Sequence, residues 1–207
     1  MSITVIRYSD RPELWDDTEA LSRAVWPEYN LHGPILGSYW NRLIDDFPEY
    51  QFVLFDDDQE DVLAEGHTLP CPWDGTPDGL GDGIDAMAEL ARAESLAHLL
   101  APVRPSLKDR YPITPIERYV AWTRDNGEPF DPWIRVHTRR GGQIVKPIPQ
   151  SLLITGTVGE WEQWTEMKFP ESGEYTFPAG LAPVHIDREQ DLGTYWEPNV
   201  WIVHPVG

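Results

Sequence analysis

The chain has 207 residues, of which 41% are hydrophobic and 12% aromatic, and its formal net charge is −19. This composition excludes a disordered acidic tail, and the length suits one folded domain with its own core. The charge excludes a nucleic-acid partner, which needs clustered Lys and Arg, and it disfavours an anionic membrane surface. The single cysteine, Cys71, excludes an internal disulfide and a Cys-rich metal site.

The negative charge is concentrated in the first half of the chain. Residues 1–101 carry 21 acidic and 5 basic side chains, whereas residues 102–207 carry 14 and 11. The densest acidic run, residues 56–61, lies between two apolar stretches, and we interpret it as a solvated turn between strands. The N-terminus shows no signal peptide and no apolar run is long enough to span a bilayer, so we expect a cytoplasmic protein.

The first 69 residues predict the order β-α-α-β-β. Alternating apolar residues predict a strand over 3–8, and Asp10 is the expected N-cap of the helix that follows. Apolar stripes and terminating prolines predict two helices, over 14–26 and 35–47. Two apolar runs, 51–55 and 62–69, predict an antiparallel hairpin on either side of the acidic turn.

The remainder of the chain predicts a loop and then a second mixed region. Residues 70–83 form an acidic loop rich in Gly and Pro, before a helix over 84–95 and a strand over 98–103. Thr114 is the expected N-cap of a further helix, with Pro115 at its first position. Strands are predicted over 133–138 and 151–157, and at the end of an aromatic-rich segment over 200–203. We expect one α+β domain over residues 1–207 with a mixed, mostly antiparallel central sheet flanked by helices.

This order resembles the GCN5-related N-acetyltransferase (GNAT) fold. Two stretches are similar to a bacterial group of GNAT-type proteins: APVRPSLKDRYPITPIERYVAWTRDNGEPFDPWIRVHTRRGG, residues 101–142, and FPESGEYTFPAGLAPVHIDREQDLGTYWEPNVWIVH, residues 169–204. The resemblance implies transfer of an acetyl group from acetyl-CoA to an amine of a small molecule. It also implies that acetyl-CoA lies in a V between the fourth and fifth strands of the fold.

One segment of the GNAT pattern is missing. No apolar fourth strand lies between residues 69 and 84, where the family carries its pyrophosphate-binding turn. Gly79 and Gly81 keep the glycine spacing of such a turn ahead of a predicted helix, and they are the candidate cofactor-binding residues. Neighbouring aspartates would repel a pyrophosphate, which favours the alternative of an acidic connector.

Acetylation of an amine requires a base, an acid for the leaving thiolate and a donor for the thioester oxygen. Glu65 and His67 are two apart on the third predicted strand and therefore face the same side, so either is a candidate base. The alternative is that both are ordinary strand residues. Tyr111 lies near the position where many GNAT enzymes carry a tyrosine acid, so the resemblance makes it the candidate acid, with core packing as the alternative.

Candidate substrate-binding residues come from the aromatic and basic side chains. Trp26 with Tyr29, and Trp73 in the Pro-rich loop, are candidates to line a pocket for an apolar or aromatic ligand. Arg104 belongs to a basic cluster with Lys108 and Arg110 that could hold an anion or pair with the acidic first half. His137 is a further candidate. The six histidines are scattered, so we predict no metal site.

These observations favour an N-acetyltransferase-like enzyme with acetyl-CoA as cofactor and a small-molecule substrate. Two alternatives stay open. The scaffold could be a CoA-independent enzyme that uses an aromatic pocket to cyclise or isomerise a hydrophobic metabolite. It could also be a non-catalytic binding module in which the missing strand exposes a sheet edge that a second copy covers, giving a homodimer.

Overall fold

The computed structural model describes residues 2–70, 73–78 and 98–205. Cys71, the candidate cofactor residues Gly79 and Gly81, and the predicted helix over 84–95 lie outside these ranges. In the described residues the chain forms two antiparallel sheets with short helices packed on them. The predicted α+β class, with mostly antiparallel strands flanked by helices, is therefore confirmed, and within these ranges the strands form two sheets.

The first sheet has three strands in the order β1-β2-β3: β1 (Ile3–Arg7), β2 (Gln51–Asp56) and β3 (Asp61–His67). Val53 pairs with Glu65 and Gln51 pairs with His67, so the hairpin prediction is confirmed. The acidic run is a turn, as predicted. Its first carboxylate, Asp56, is buried and accepts hydrogen bonds from the backbone N–H groups of Asp58 and Gln59. Those bonds satisfy donors that the tight turn leaves without strand partners.

Helices in the first half are shorter than the sequence predicted. They are α1 (Trp15–Val25), α2 (Pro34–Tyr39) and α3 (Arg42–Asp46), with a 3-10 segment over Glu28–His32. The predicted helix over 35–47 is broken between α2 and α3, where Gly37 and Ser38 weaken the last turn of α2. Asp10 does not cap a helix: the 3-10 turn Pro12–Leu14 that precedes α1 starts after Arg11, without a side-chain cap.

The second sheet is built around one long strand. Its strands are β4 (His98–Val103), β5 (Gln143–Gly156), β6 (Gly173–Tyr175), β7 (Val184–Asp187) and β8 (Leu192–Pro205). Strand β5 pairs along one edge of β8, so β4 and β7 share the opposite edge. The β4 ladder ends at Val200 and the β7 ladder at Thr194. Residues 195–199 of β8 therefore have no described strand on that edge.

Two local predictions in the second half need correction, and one helix there was missed. The segment predicted as a strand over 133–138 is the helix α5 (Pro132–Arg139), because Asp131 caps it and Pro132 occupies its first position. Helix α4 (Ile116–Val120) begins after Pro115 and takes no side-chain cap from Thr114. A capping box does occur elsewhere, where Thr157 and Glu160 open α6 (Val158–Thr165), a helix that was not predicted.

Aromatic side chains fill the core on both faces of the second sheet. Trp161 on α6 packs against Tyr29, Phe177 and Tyr195. Gly193 permits this packing, because a Cβ at that position would lie 2.2 Å from Cδ1 of Trp161. The other face carries a second aromatic cluster, which contains Tyr111, Tyr119, Trp122 and Phe130. No helix within the described ranges is long and apolar enough to cross a bilayer.

Asp131 is the polar centre of the segment between β4 and α5. Its carboxylate is 2% exposed and accepts hydrogen bonds from Trp133 N, Leu107 N and the Tyr119 hydroxyl. We expect Asp131→Ala to lower the free energy of unfolding by about 3 kcal/mol or more, because it removes a helix cap and leaves buried donors unsatisfied. Urea unfolding measures this change.

The matched control is Asp125→Ala, which removes an exposed aspartate from the turn before α5. We expect that variant to unfold within about 0.5 kcal/mol of the parent protein. Equal effects of the two substitutions would contradict the role of Asp131.

Candidate functional site

A large cleft separates the two sheets. It has a volume of about 1880 Å³, and its walls include β3 from the first sheet and β4 from the second. Helices α1 to α3 close one side, and two polar residues of β8, Glu197 and Asn199, lie in its lining. The cleft thus opens where β8 has no described neighbour on its β4 edge. Strands β3 and β4 are each the last described strand at their sheet edge.

Glu65 and His67 project into this cleft from β3. Nε2 of His67 lies 3.3 Å from a carboxylate oxygen of Glu65, and both side chains are less than one fifth exposed. The Ser22 hydroxyl on α1 donates a hydrogen bond to the other carboxylate oxygen. Two tryptophans, Trp15 and Trp40, place their rings at 5.5 and 4.7 Å from the imidazole. Contacts with Ser22, Trp15 and Trp40 therefore fix the position of the pair.

Hydrogen bonding fixes the state of the Glu65–His67 pair. Burial opposes ionisation of Glu65, but the adjacent His67 imidazole and the hydroxyl groups of Ser22 and Thr18 outweigh it and lower the pKa of this carboxyl. The Gln51 amide donates its N–H groups to two backbone carbonyls, so its oxygen faces His67 and Nδ1 carries the proton. Nε2 is buried and makes no hydrogen bond of good geometry.

Arg104, which is partly buried, and the buried Glu197 form an ion pair in the lining of the cleft. Arg104 follows β4 directly, and its Nε lies 3.1 Å from the Glu197 carboxylate. The same guanidinium donates to the Tyr29 hydroxyl and to the Ala179 carbonyl. Burial raises the pKa of Glu197, although the Arg104 charge acts in the opposite direction. Burial likewise raises the pKa of Tyr29.

The predicted aromatic candidates are divided between the cleft and the core. Trp26 lines the cleft and is 43% exposed. Trp73 also lines it, with its ring against His98 and its Nε1 donating to the Thr76 carbonyl. Tyr29 is not in the lining, because its ring is buried in the core and only its hydroxyl reaches Arg104.

Two predicted site residues lie away from the cleft. The Tyr111 ring packs in the core against Trp122 and Phe130, which corresponds to the packing alternative. His137 on α5 faces His204, with 2.9 Å between Nδ1 and Nε2 of the two rings. Burial and the neighbouring imidazole lower the pKa of His137. Neither residue belongs to the lining of the cleft.

Two residues of the site, Glu197 and Asn199, were missed by the sequence reasoning. Each is at most 2% exposed, and they alternate on β8 with apolar neighbours. The signal was present: a carboxylate and an amide occupy inward positions of an otherwise apolar strand, Tyr195 to Trp201. Buried polar residues of this kind need partners or a ligand, and function accounts for them better than packing does. The described residues contain no cluster of His, Cys, Asp or Glu suited to a metal ion.

Comparisons with known proteins give one sequence relative and one structural neighbour. The arginine N-acetyltransferase avaD from Aspergillus versicolor is 29% identical over 265 positions, covering 95% of this chain and 91% of that protein. The crystal structure of the loading GNATL domain of CurA from Lyngbya majuscula matches with a TM-score of 0.56 and 14% identity, covering 99% of this chain and 98% of that one. The structural match shows that the chain has a GNAT-like fold. No protein-family model matches it.

The comparison with the Aspergillus enzyme also shows a difference in length. The alignment with the Aspergillus enzyme extends over 265 positions, which is more than the 207 residues of this chain. Some of those positions therefore face gaps in this chain. Among the described strands, β4 follows β3 directly in the sequence, and residues 71–72 and 79–97 between them lie outside the described ranges.

The basic cluster predicted around Arg104 does not form, because Lys108 is buried away from it. Lys108 is fully buried, and its Nζ donates to the carbonyls of Tyr111 and Leu181. Burial lowers the pKa of Lys108 to about 8. Above that pH the folded chain loses a proton that the unfolded chain keeps up to its ordinary pKa of 10.5, so folding stability contributed by this residue rises with pH.

We expect this contribution to disappear in Lys108→Met. The difference in unfolding free energy between the parent protein and the variant should grow in favour of the parent between pH 8 and 10. Urea unfolding of both proteins at several pH values in this window measures it. A difference that stays constant with pH would show that Lys108 does not titrate there.

Proposed function

We propose that this protein is an acyltransferase that moves an acetyl group from acetyl-CoA to an amine of a small molecule. The observation that carries the proposal is the cleft between β3 and β4, with the Glu65–His67 pair inside it. The arginine N-acetyltransferase relative supports the same activity, and the GNAT fold supports the same scaffold. Neither comparison favours the CoA-independent enzyme or the non-catalytic module.

The described cleft fits the acyl-carrying end of acetyl-CoA. Strands β3 and β4 present their outer edges to it, and backbone N–H and C=O groups on such edges can pair with an extended amide-containing chain. When bound there, acetyl-CoA supplies an acetyl group activated as a thioester. Gly79 and Gly81 stay candidate pyrophosphate-binding residues, since they lie outside the described ranges.

The Glu65–His67 pair has the arrangement needed to deprotonate an amine. The ionised Glu65 carboxylate attracts a substrate ammonium group and accepts a hydrogen bond from it. The proton passes to this carboxylate and on to Nε2 of His67, 3.3 Å away, where the imidazole holds it as an imidazolium beside the anion. Gln51 keeps the ring oriented during this step through Nδ1. The neutral amine that results is the nucleophile.

A basic amino acid is our proposed substrate class, with arginine as the first compound to test. The relative is an arginine N-acetyltransferase, and it covers nearly the whole chain. The net charge of −19 favours a cationic substrate, because the field of an acidic protein concentrates cations near its surface.

Replacement of the imidazole tests the proton-transfer role. We expect His67→Asn to lower kcat about 100-fold, because asparagine keeps a donor for Gln51 but removes Nε2. Release of the CoA thiol from acetyl-CoA, with arginine as acceptor, measures kcat, and mass spectrometry identifies the acetylated product. We expect the fall to be smaller at high pH, where more of the substrate amine is already neutral.

The matched control is His185→Asn, which changes an exposed histidine on β7. Its kcat should equal that of the parent protein. An unchanged kcat in His67→Asn would contradict the proton-transfer role, and an absence of acetylated product with the parent protein and any basic amino acid would contradict the proposed function.

A further inference from the structure

Asn199 leaves a buried acceptor without a partner in the cleft. Its side chain is 1% exposed, and its Nδ2 donates a 2.9 Å hydrogen bond to the Ser151 hydroxyl. Its Oδ1 accepts no hydrogen bond. Asn199 belongs to the lining of the cleft, two residues beyond Glu197 on the same face of β8. An amide oxygen buried in this way costs stability unless a ligand satisfies it.

A second acceptor without a hydrogen bond belongs to Asn30, which contacts Glu197. Asn30, in the 3-10 segment Glu28–His32, hydrogen-bonds the Glu197 carboxylate. An ionised carboxylate only accepts, so Nδ2 of Asn30 is the donor and its Oδ1 is the atom left over. That oxygen is buried and makes no hydrogen bond either. Asn30 also belongs to the lining of the cleft.

The three groups share one chemistry. Glu197, Asn199 and Asn30 present oxygen acceptors, and the first of them carries negative charge. A ligand group that matches them is cationic and rich in N–H donors. From this geometry we infer that Glu197, Asn199 and Asn30 form a subsite for a guanidinium or ammonium group of the substrate, separate from the amine that reacts at Glu65. This inference rests on the proposed function and defines the substrate as a molecule with two basic nitrogen groups.

Arg104 does not occupy the two orphaned oxygens. Its guanidinium is committed to Glu197, Tyr29 and Ala179. It balances part of the Glu197 charge, and it also offers a different way to hold an amino acid, through the carboxylate of the substrate. The subsite would recognise the guanidinium end of an arginine substrate, whereas Arg104 would recognise its carboxylate end. Binding of arginine derivatives that lack one of these groups distinguishes the two modes.

Isothermal titration of the full chain without acetyl-CoA compares these ligands. Agmatine keeps the guanidinium of arginine and lacks its carboxylate, whereas citrulline keeps the carboxylate and has an uncharged urea group. We expect agmatine to bind at least about tenfold more tightly than citrulline, because the acceptors pair with a charged donor. Tighter binding of citrulline would overturn the subsite in favour of carboxylate recognition by Arg104. Cadaverine, a diamine, distinguishes an ammonium from a guanidinium preference.

Asn199→Leu tests the residue directly, because leucine is similar in size and has no oxygen. We expect agmatine to bind about tenfold more weakly to this variant. Asn126→Leu, at an exposed turn position, is the matched control and should bind like the parent protein. Circular dichroism establishes that each variant is folded. If Asn199→Leu does not fold, Asn30→Ala removes the second oxygen, and unchanged agmatine binding there overturns the subsite.

Acetylation assays distinguish a wrong subsite from a wrong proposed function. Agmatine binding to the parent protein, without any acetylated product when acetyl-CoA is added, would overturn the acyltransferase and leave the cation subsite. Acetylation of monoamines as readily as agmatine would overturn the subsite and leave the acyltransferase. Agmatine binding that depends on Asn199, together with a preference for dibasic acceptors, supports both.

Discussion

The ion pair between Arg104 and Glu197 is the interaction on which the arrangement of the second sheet and the cleft depends. A carboxylate as buried as Glu197 is tolerated only with an opposite charge and hydrogen bonds around it. Arg104 supplies the charge and extends β4 past the end of its ladder with β8. Through Tyr29 and Ala179 the same guanidinium ties the 3-10 segment after α1 to the loop before β7. This ion pair thereby connects elements that are far apart in sequence and holds them around the opening in the β8 edge.

That opening gives the molecule its cleft. The two sheets do not join within the described residues, and β3 and β4 face each other across the space between them. Proton-accepting groups lie on the β3 side and oxygen acceptors lie on β8, so the two halves of the chain contribute different chemistry to one site. The acidic first half, with 21 acidic and 5 basic residues over positions 1–101, disfavours a polyanionic cofactor but suits a cationic acceptor. The pyrophosphate end of acetyl-CoA would thus depend on local contacts and not on the overall field.

Sequence reasoning succeeded where the pattern is local. The hairpin over β2 and β3, the strand β4 and the acidic turn follow from alternation and turn composition within a few residues. It failed at α5, because the apolar spacing of Trp133, Ile134 and Val136 fits a short strand as well as one helical turn. The preceding Asp131-Pro132 pair is a helix start, and it decides the outcome once Asp131 accepts the first N–H groups of the helix. The break between α2 and α3 likewise involves only one helical turn, and the apolar spacing over 35–47 is the same with or without it.

For the site, the sequence by itself determined which residues on β3 can act together, because Glu65 and His67 share a face through the two-residue period of a strand. It also determined the acidic character that favours a basic substrate, and through its resemblance it indicated the GNAT superfamily. Only the tertiary structure decided that Tyr111 and His137 lie away from the cleft, that Tyr29 acts through its hydroxyl alone, and that Glu197 and Asn199 reach the cleft from the far end of the chain. The physical reason is that the burial of a side chain and its hydrogen-bond partners depend on contacts between segments that are distant in sequence. No local pattern specifies which segment will cover a given side chain.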